Sequence, residues 1–350
     1  MKRVYAGVSG GVDSALSAAL LKAEGHQVTG VFIKIWQPEF IECSWREDRL
    51  DAMRVCAQLD IPYREIDLSD EYKKGVVDHM VRSYERGLTP NPDVLCNTAI
   101  KFGVFMKWAL TEGAECVATG HYAREENGTL LKGVDTSKDQ SYFLHQLTSD
   151  QLQMIRFPIG VLHKEEVRAR ARSLGLAVAA KPDSQGLCFV GDVSLPEFLS
   201  HYVALTPGSV VNELGETIGE HDGAVCYTVG QRHGFRISQS SGSTRPHYVS
   251  KIDAENNTIV VSEQLAAATA LSVYVSEMHW IGDAPQLPRH FSVQARYRES
   301  PVRARLSPDS SGVRIDFEHP HIAAPGQSLV VYDDERCLGG GAISHSLLNT

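Results

Sequence analysis

Three short stretches hold the groups most able to do chemistry. SGGVDS, Ser9 to Ser14, lies between a predicted strand and a predicted helix. Its glycines, Gly10 and Gly11, let the backbone turn tightly and approach a ligand. The helix that follows offers free N–H groups and the positive end of its dipole, which suits phosphate oxygens. Ser9 and Ser14 add hydroxyl donors, and Asp13 beside phosphates either helps hold Mg²⁺ or orients the loop. TPNPDVLCN, 89–97, sets Asp93 and Cys96 beside Pro90 and Pro92. The prolines remove backbone donors and push Thr89 and Asn91 toward extended conformations, so a stiff, non-helical loop is expected. SQGLCFV places Cys188 in a glycine-containing turn that runs into an apolar strand. A buried structural thiol and a reactive one both fit Cys96 and Cys188. His121 follows Gly120 at a strand end and reads equally as a ligand contact or a packed loop histidine.

The first stretch also fits other letters. GVSGG, 7–11, matches the nucleophile elbow G-x-S-x-G, with Ser9 as the nucleophile of a serine hydrolase. That elbow normally follows several strands, whereas this one follows the first, and no HGGG-like stretch precedes it. Neither G-x-x-x-x-G-K-[ST] nor G-x-G-x-x-G occurs, which removes the Walker A and dinucleotide readings.

The surrounding elements must position these groups. Over the first 120 residues strand and helix signals alternate: strands at 2–9, 26–33, 62–68 and 114–124, helices at 12–25, 47–60, 69–87 and 97–113, with Ser69 or Asp70 as an N-cap. That order predicts a parallel sheet covered on both faces, which binds ligands at the carboxyl ends of its strands. Helical signals continue at 149–157 and 163–175. From Pro207 the chain turns to short β-branched runs bounded by Gly, Asn and Asp, and a second set of runs begins near 271, as in a small antiparallel barrel. The expected division is an α/β domain over 1–200, a central β-rich segment over 201–265 and a C-terminal barrel over 270–350, with EQLAAATA near the last boundary.

A chain of 350 residues suits two or three domains. No apolar run approaches a membrane span, and the N-terminus reaches glycines too soon for a signal-peptide core. A cytosolic protein is expected, with reduced thiols. The seven cysteines include no CxxC pair, and Cys43, Cys56, Cys116, Cys226 and Cys337 read as core. No metal held directly by protein side chains is expected. The net charge of −9 argues against binding a polyanion through bulk charge. Two local basic stretches qualify that: 164–172, and 289–305 with Arg289, Arg296, Arg298, Arg303 and Arg305.

SGGVDS resembles the pyrophosphate loop of the N-type ATP pyrophosphatases, which adenylate a substrate and release pyrophosphate. With NPDVLCN (91–97), ATGHYAR (118–124), KDQSYFL (138–144) and KPDSQGLCFVG (181–191) in that order, the chain resembles the tRNA-specific 2-thiouridylase family through most of its length. GQRHG, QARYR and PGQSLVVY extend the resemblance toward the C-terminus. It implies that the wobble uridine of tRNA is thiolated at C2 with ATP and Mg²⁺. Gly7, Val8, Ser9, Gly10, Gly11, Val12, Asp13 and Ser14 would cradle the ATP phosphates, and Gly120 would pass close to the nucleotide. Ile33 would meet the adenine where the family usually has methionine. Cys188 would carry a persulfide and Cys96 would be its partner in a transient disulfide, with the persulfide itself or hydrosulfide released by Cys96 attacking C2. Asp93 would be the acid or base, with Asn91 and Pro92 beside it around the target base. His121, Lys138, Asp139, Gln140, Arg296, Tyr297 and Gln327 would touch the tRNA. The sulfur would come from a persulfide donor, a cysteine desulfurase or a relay protein. Another adenylating ligase of the same superfamily is the main alternative.

Overall fold

The structure is a computed structural model that describes residues 1–40, 45–183, 193–238 and 245–348. Cys43 and Cys188 lie outside the described residues. Five parallel strands build the first sheet in the order β3-β2-β1-β4-β7: β1 Arg3–Gly7, β2 Gln27–Lys34, β3 Tyr63–Asp67, β4 Cys116–Ala118 and β7 Ile155–Arg156. Order reverses between β1 and β4, so the crevice beyond their carboxyl ends is the expected ligand site. One face is covered by α1 (Val12–Ala23), α2 (Trp45–Gln58) and the helix Lys164–Ser173, around Leu16, Val55 and Val167. The other face packs on helices over 69–85 and 92–111, around Tyr72, Met80, Ile100 and Phe105. This is the α/β sheet expected from the alternation.

Three local expectations fail. TPNPDVLCN is not a loop throughout: Pro92–Leu95 is helical and continues through Cys96–Phe105 into Met106–Thr111. Pro92 is tolerated because it starts the helix, where its missing N–H is not needed. Asn91 Oδ1 accepts from Val94 N at 3.3 Å and caps the turn. The prolines therefore start a helix rather than prevent one. The predicted strand over 114–124 also splits. Only Cys116–Ala118 joins the parallel sheet. After Gly120 the chain forms a hairpin of β5 (Ala123–Glu126) and β6 (Thr129–Lys132). At the 69–85 helix neither expected residue is the N-cap; Leu68 holds that place, and Asp67 Oδ1 accepts from Ser69 N.

The β-rich half contains two sheets. β8 (Gly208–Val211), β9 (Thr217–His221), β10 (Phe235–Ile237), β11 (Tyr248–Asp253) and β12 (Thr258–Ser262) form a five-stranded sheet in the order β10-β9-β8-β12-β11. The third sheet has ten strands and is largely antiparallel, built on β13 (Ala270–Val275), β15 (Arg289–Gln294), β16 (Val302–Asp309), β17 (Gly312–His321), β18 (Ser328–Asp333), β19 (Arg336–Ala342) and β20 (His345–Leu348), with β14 (His279–Trp280) beside β19. The β5–β6 hairpin is part of it: Leu131 and Leu130 of β6 pair with Arg336 and Cys337 of β19. Residues from the α/β half thus supply two strands to the C-terminal sheet, which fixes that sheet to the α/β half through backbone hydrogen bonds.

Candidate active site

The SGGVDS segment turns between β1 and α1 at the carboxyl edge of the sheet. Gly10 has φ +78°, and a β-carbon there would stand 2.3 Å from the Asp48 carbonyl oxygen, so only glycine fits. Gly11 is the N-cap of α1 and provides no side-chain cap, leaving the first amides of the helix open. Ser14 Oγ lies 3.1 Å from Ser9 Oγ and accepts from Ser9 N at 3.1 Å, closing the loop on itself. A β-carbon at Gly120 would stand 2.7 Å from Ser14 N, so the loop after β4 runs against this turn. Val8 and Val12 are buried as anchors, and Ile33 approaches Gly7. Open amides, a left-handed glycine and a close second glycine make a cradle that fits a polyphosphate.

Asp13 is not free to serve a metal in this arrangement. Its carboxylate accepts from Tyr122 OH at 2.8 Å and from Lys164 Nζ at 2.8 and 2.9 Å. Lys164 also meets Asp183 Oδ1 at 2.8 Å, and Asp183 takes Arg168 Nη2 at 2.7 Å and Lys138 Nζ at 3.0 Å. Hydrogen bonds from Lys164 and Lys138 outweigh desolvation and hold the Asp183 carboxyl down at about 2. This favours orientation of the loop as the task of Asp13. No cluster of three or more His, Cys, Asp or Glu side chains suited to a metal occurs among the described residues.

Asp93 and Cys96 lie one helical turn apart at the start of the 92–111 helix. Cys96 is buried, and Asp93 is half-buried. Desolvation pushes the Asp93 carboxyl up, and the charge of Lys101 opposes that. Lys101 Nζ lies 3.5 Å from Nε2 of buried His121, whose Nδ1 is 2.7 Å from Thr119 Oγ1. Burial, then Lys101, hold His121 well below the usual histidine range, so it is neutral. Since His121 adjoins Gly120, this group and the phosphate cradle meet at one sheet edge.

The C-terminal residues reach the same place. Tyr297 packs its ring 4.2 Å from Phe143, and Tyr142 OH donates to Ser328 O at 2.7 Å. Thr89 N donates to Pro325 O at 2.9 Å, next to Gln327. Arg296 Nη2 donates to Val229 O at 2.7 Å, tying the C-terminal sheet to the central segment. In the 138–140 stretch the side chains face inward. Asp139 accepts from Gly133 N, Ser141 N and Ser141 Oγ, while Gln140 Oε1 accepts from Tyr122 N. Tyr122, Lys164, Asp183 and Lys101 were not singled out from the sequence. Tyr122 and Asp183 stand inside the ATGHYAR and KPDSQGLCFVG motifs, Lys164 opens the basic stretch 164–172, and Lys101 stands eight residues beyond Asp93; only the fold shows what each of them touches.

Three family models match in series: a tRNA methyl transferase HUP domain over residues 2–192, a tRNA methyl transferase PRC-barrel domain over 196–263 and an aminomethyltransferase beta-barrel domain over 271–343. Two proteins called tRNA-specific 2-thiouridylase MnmA match nearly end to end. The one from Pseudomonas syringae pv. syringae is 42% identical over 98% of this chain and 94% of its own length. The one from Enterococcus faecalis is 41% identical over 98% of this chain and 96% of its own. The chain belongs to the tRNA-specific 2-thiouridylase family. That family is one of sulfurtransferases, so the methyltransferase wording of the model descriptions does not set the reaction. Among solved structures, the U34-tRNA thiolase NcsA from Methanococcus maripaludis aligns over 54% of this chain and 61% of that chain, at 19% identity and a TM-score of 0.36. A thiouridylase needs an activated nucleobase oxygen and a sulfur carrier within reach of each other.

Proposed function

We propose that this chain replaces the C2 oxygen of the wobble uridine of tRNA with sulfur, using ATP and a persulfide carried on Cys188. The observation that carries the reading is the meeting of the phosphate cradle, through Gly120 and His121, with the turn bearing Asp93 and Cys96. A uridine carbonyl is a poor electrophile with a poor leaving oxygen. ATP, entering with Mg²⁺, supplies the adenylyl group that makes that oxygen leave. The open amides of α1 hold the phosphates, while Lys164 and Tyr122 keep Asp13 from repelling them. Asp93 takes the proton from N3 of the flipped-out base, with Asn91 and Pro92 beside it. The outer persulfide sulfur bonds to C2 as the C2–O2 bond breaks and AMP leaves; Cys96 then attacks the Cys188 sulfur, breaking its bond to the outer sulfur, forming the Cys96–Cys188 disulfide and releasing the thiolated base. A thiol reductant then restores both cysteines.

His121, Lys138, Asp139, Gln140, Arg296, Tyr297 and Gln327 are assigned to the tRNA under this reading. Their internal partners in the free protein require either exchange on binding or contact through the backbone. The sulfur donor is a cysteine desulfurase or a relay protein, and the enzyme works in the cytosol. No helix among the described residues is long and apolar enough to cross a membrane. Incubation with tRNA, ATP and a persulfide donor, followed by nucleoside analysis, should yield 2-thiouridine. Cys96→Ser and Cys188→Ser should each abolish it, and full activity in either would sink the cysteine chemistry. The serine-hydrolase reading has less support: the partners of Ser9 Oγ and its amide are both Ser14 Oγ. Labelling by a fluorophosphonate with no need for ATP would revive it.

A further inference from the structure

The helix over 92–111 carries a cation that no motif explains. Lys101 lies eight residues after Asp93. A regular α-helix, at about 3.6 residues per turn, would leave the two side chains roughly 80° apart. Here Cys96–Phe105 is wound as a π-helix for 10 residues. Its i→i+5 bonding turns less per residue, which rotates Lys101 back toward the face of Asp93. Segments of this kind are usually a single turn and concentrate at functional sites. Packing fits the wide winding: Gly103 has the Thr98 carbonyl oxygen 2.7 Å from where a β-carbon would stand. Gly75, in the neighbouring π segment Lys73–Val77, lies against Ala99.

The ammonium of Lys101 can only donate, so His121 Nε2 accepts and the ring proton sits on Nδ1, toward Thr119 Oγ1. A neutral histidine does not balance the charge of Lys101. The elements packed around Asp93 supply few other candidates. From the 69–85 helix, Lys73 closes on Asp78, and Asp70, Glu71 and Lys74 are exposed. From the 141–144 turn, the Tyr142 phenol donates to Ser328 O and is pushed above the usual range by burial. Cys96 shares the helix, and Asn97 Oδ1 is buried with no hydrogen-bond partner among the described residues.

We propose that Lys101 is a positioning residue of the reaction, the charge partner that keeps Asp93 ionised and ready to accept the uridine N3 proton. The inference rests on the role given to Asp93 above. In the step concerned, the N3–H bond breaks and the proton passes to the Asp93 carboxylate. The electron pair moves onto O2, the O2–phosphorus bond forms and pyrophosphate leaves. Lys101 faces Asp93 before transfer and the neutral acid after it, so its removal penalises the reactant form.

The test is the pH profile of tRNA-dependent pyrophosphate release. Lys101→Met should move the acid limb of kcat to higher pH and, well below the wild-type midpoint, lower the rate by about tenfold for each unit moved. The KM for ATP and tRNA affinity should stay unchanged, and Lys101→Arg should keep the wild-type limb. Lys101→Gln, shorter and polar, is the second variant should the methionine one fail to fold, with the same expectation. An unmoved limb in a folded neutral variant overturns the proposal. Asp93→Asn separates the two claims: full pyrophosphate release in that variant would remove Asp93 as the base, whatever Lys101 does.

Discussion

Asp183 shows how one carboxylate can serve several cations. Three of them, Lys138, Lys164 and Arg168, converge on it, and its carboxyl is held at about 2. A folded value below the unfolded one gives stability that is present above the ordinary carboxylate range. That stability fades as pH falls from about 4 toward about 2. Asp183→Asn should therefore lower the unfolding midpoint at neutral pH and leave the difference from wild type shrinking through that acid window. Denaturant unfolding at several pH values measures it, and a difference independent of pH would contradict the ion-pair account. Asp93 runs the other way. Burial raises its carboxyl, so its ionised form weakens the fold as pH rises through the raised value. That is a stability cost at the residue proposed as the base.

At the level of elements, the π-wound helix is the unusual piece. Its hydrogen bonds skip one residue more than those of an α-helix, and the carbonyl of Thr98 closes on Gly103. Gly103→Ala should force that carbonyl aside and destabilise the protein by about 1–3 kcal/mol. Calorimetry would read it; a neutral or stabilising change would mean that the winding relaxes freely. The hairpin of β5 and β6 is the second such element. It lies in sequence between two strands of the parallel sheet yet pairs with β19. No period in residues 114–132 distinguishes a strand of one sheet from a strand of the other, because both present alternate side chains. Its partner lies some 200 residues further along the chain.

Across the whole molecule, the three sheets meet at the mouth of the site. Thr89 touches Pro325 and Thr228, Tyr142 touches Ser328, and Arg296 reaches Val229. These ties fix the C-terminal half to the segment that leads into the Asp93 turn. If Arg296 leaves Val229 for a phosphate when tRNA binds, Arg296→Ala should weaken tRNA binding and reduce the salt slope by roughly one unit or less. An unchanged slope with a lowered melting temperature would make Arg296 a structural tie and nothing more. The measurement is tRNA affinity at several salt concentrations beside a thermal melt.

The sequence by itself determined what is local. The strand–SGGVDS–helix order needs only neighbouring residues, so the glycine turn between β1 and α1 and the α/β class were legible from it. The ordered motifs carried the family. Tertiary structure decided what distant residues do to one another. Asp13, read as a metal holder or a loop orienter, is closed by Tyr122 and Lys164 from 109 and 151 residues away. The proline stretch became a helix start because Asn91 caps it, a choice that proline propensity alone leaves open. Lys101 gained its meaning from a helical winding that spacing cannot reveal, since side-chain periodicity is read on the assumption of a regular turn.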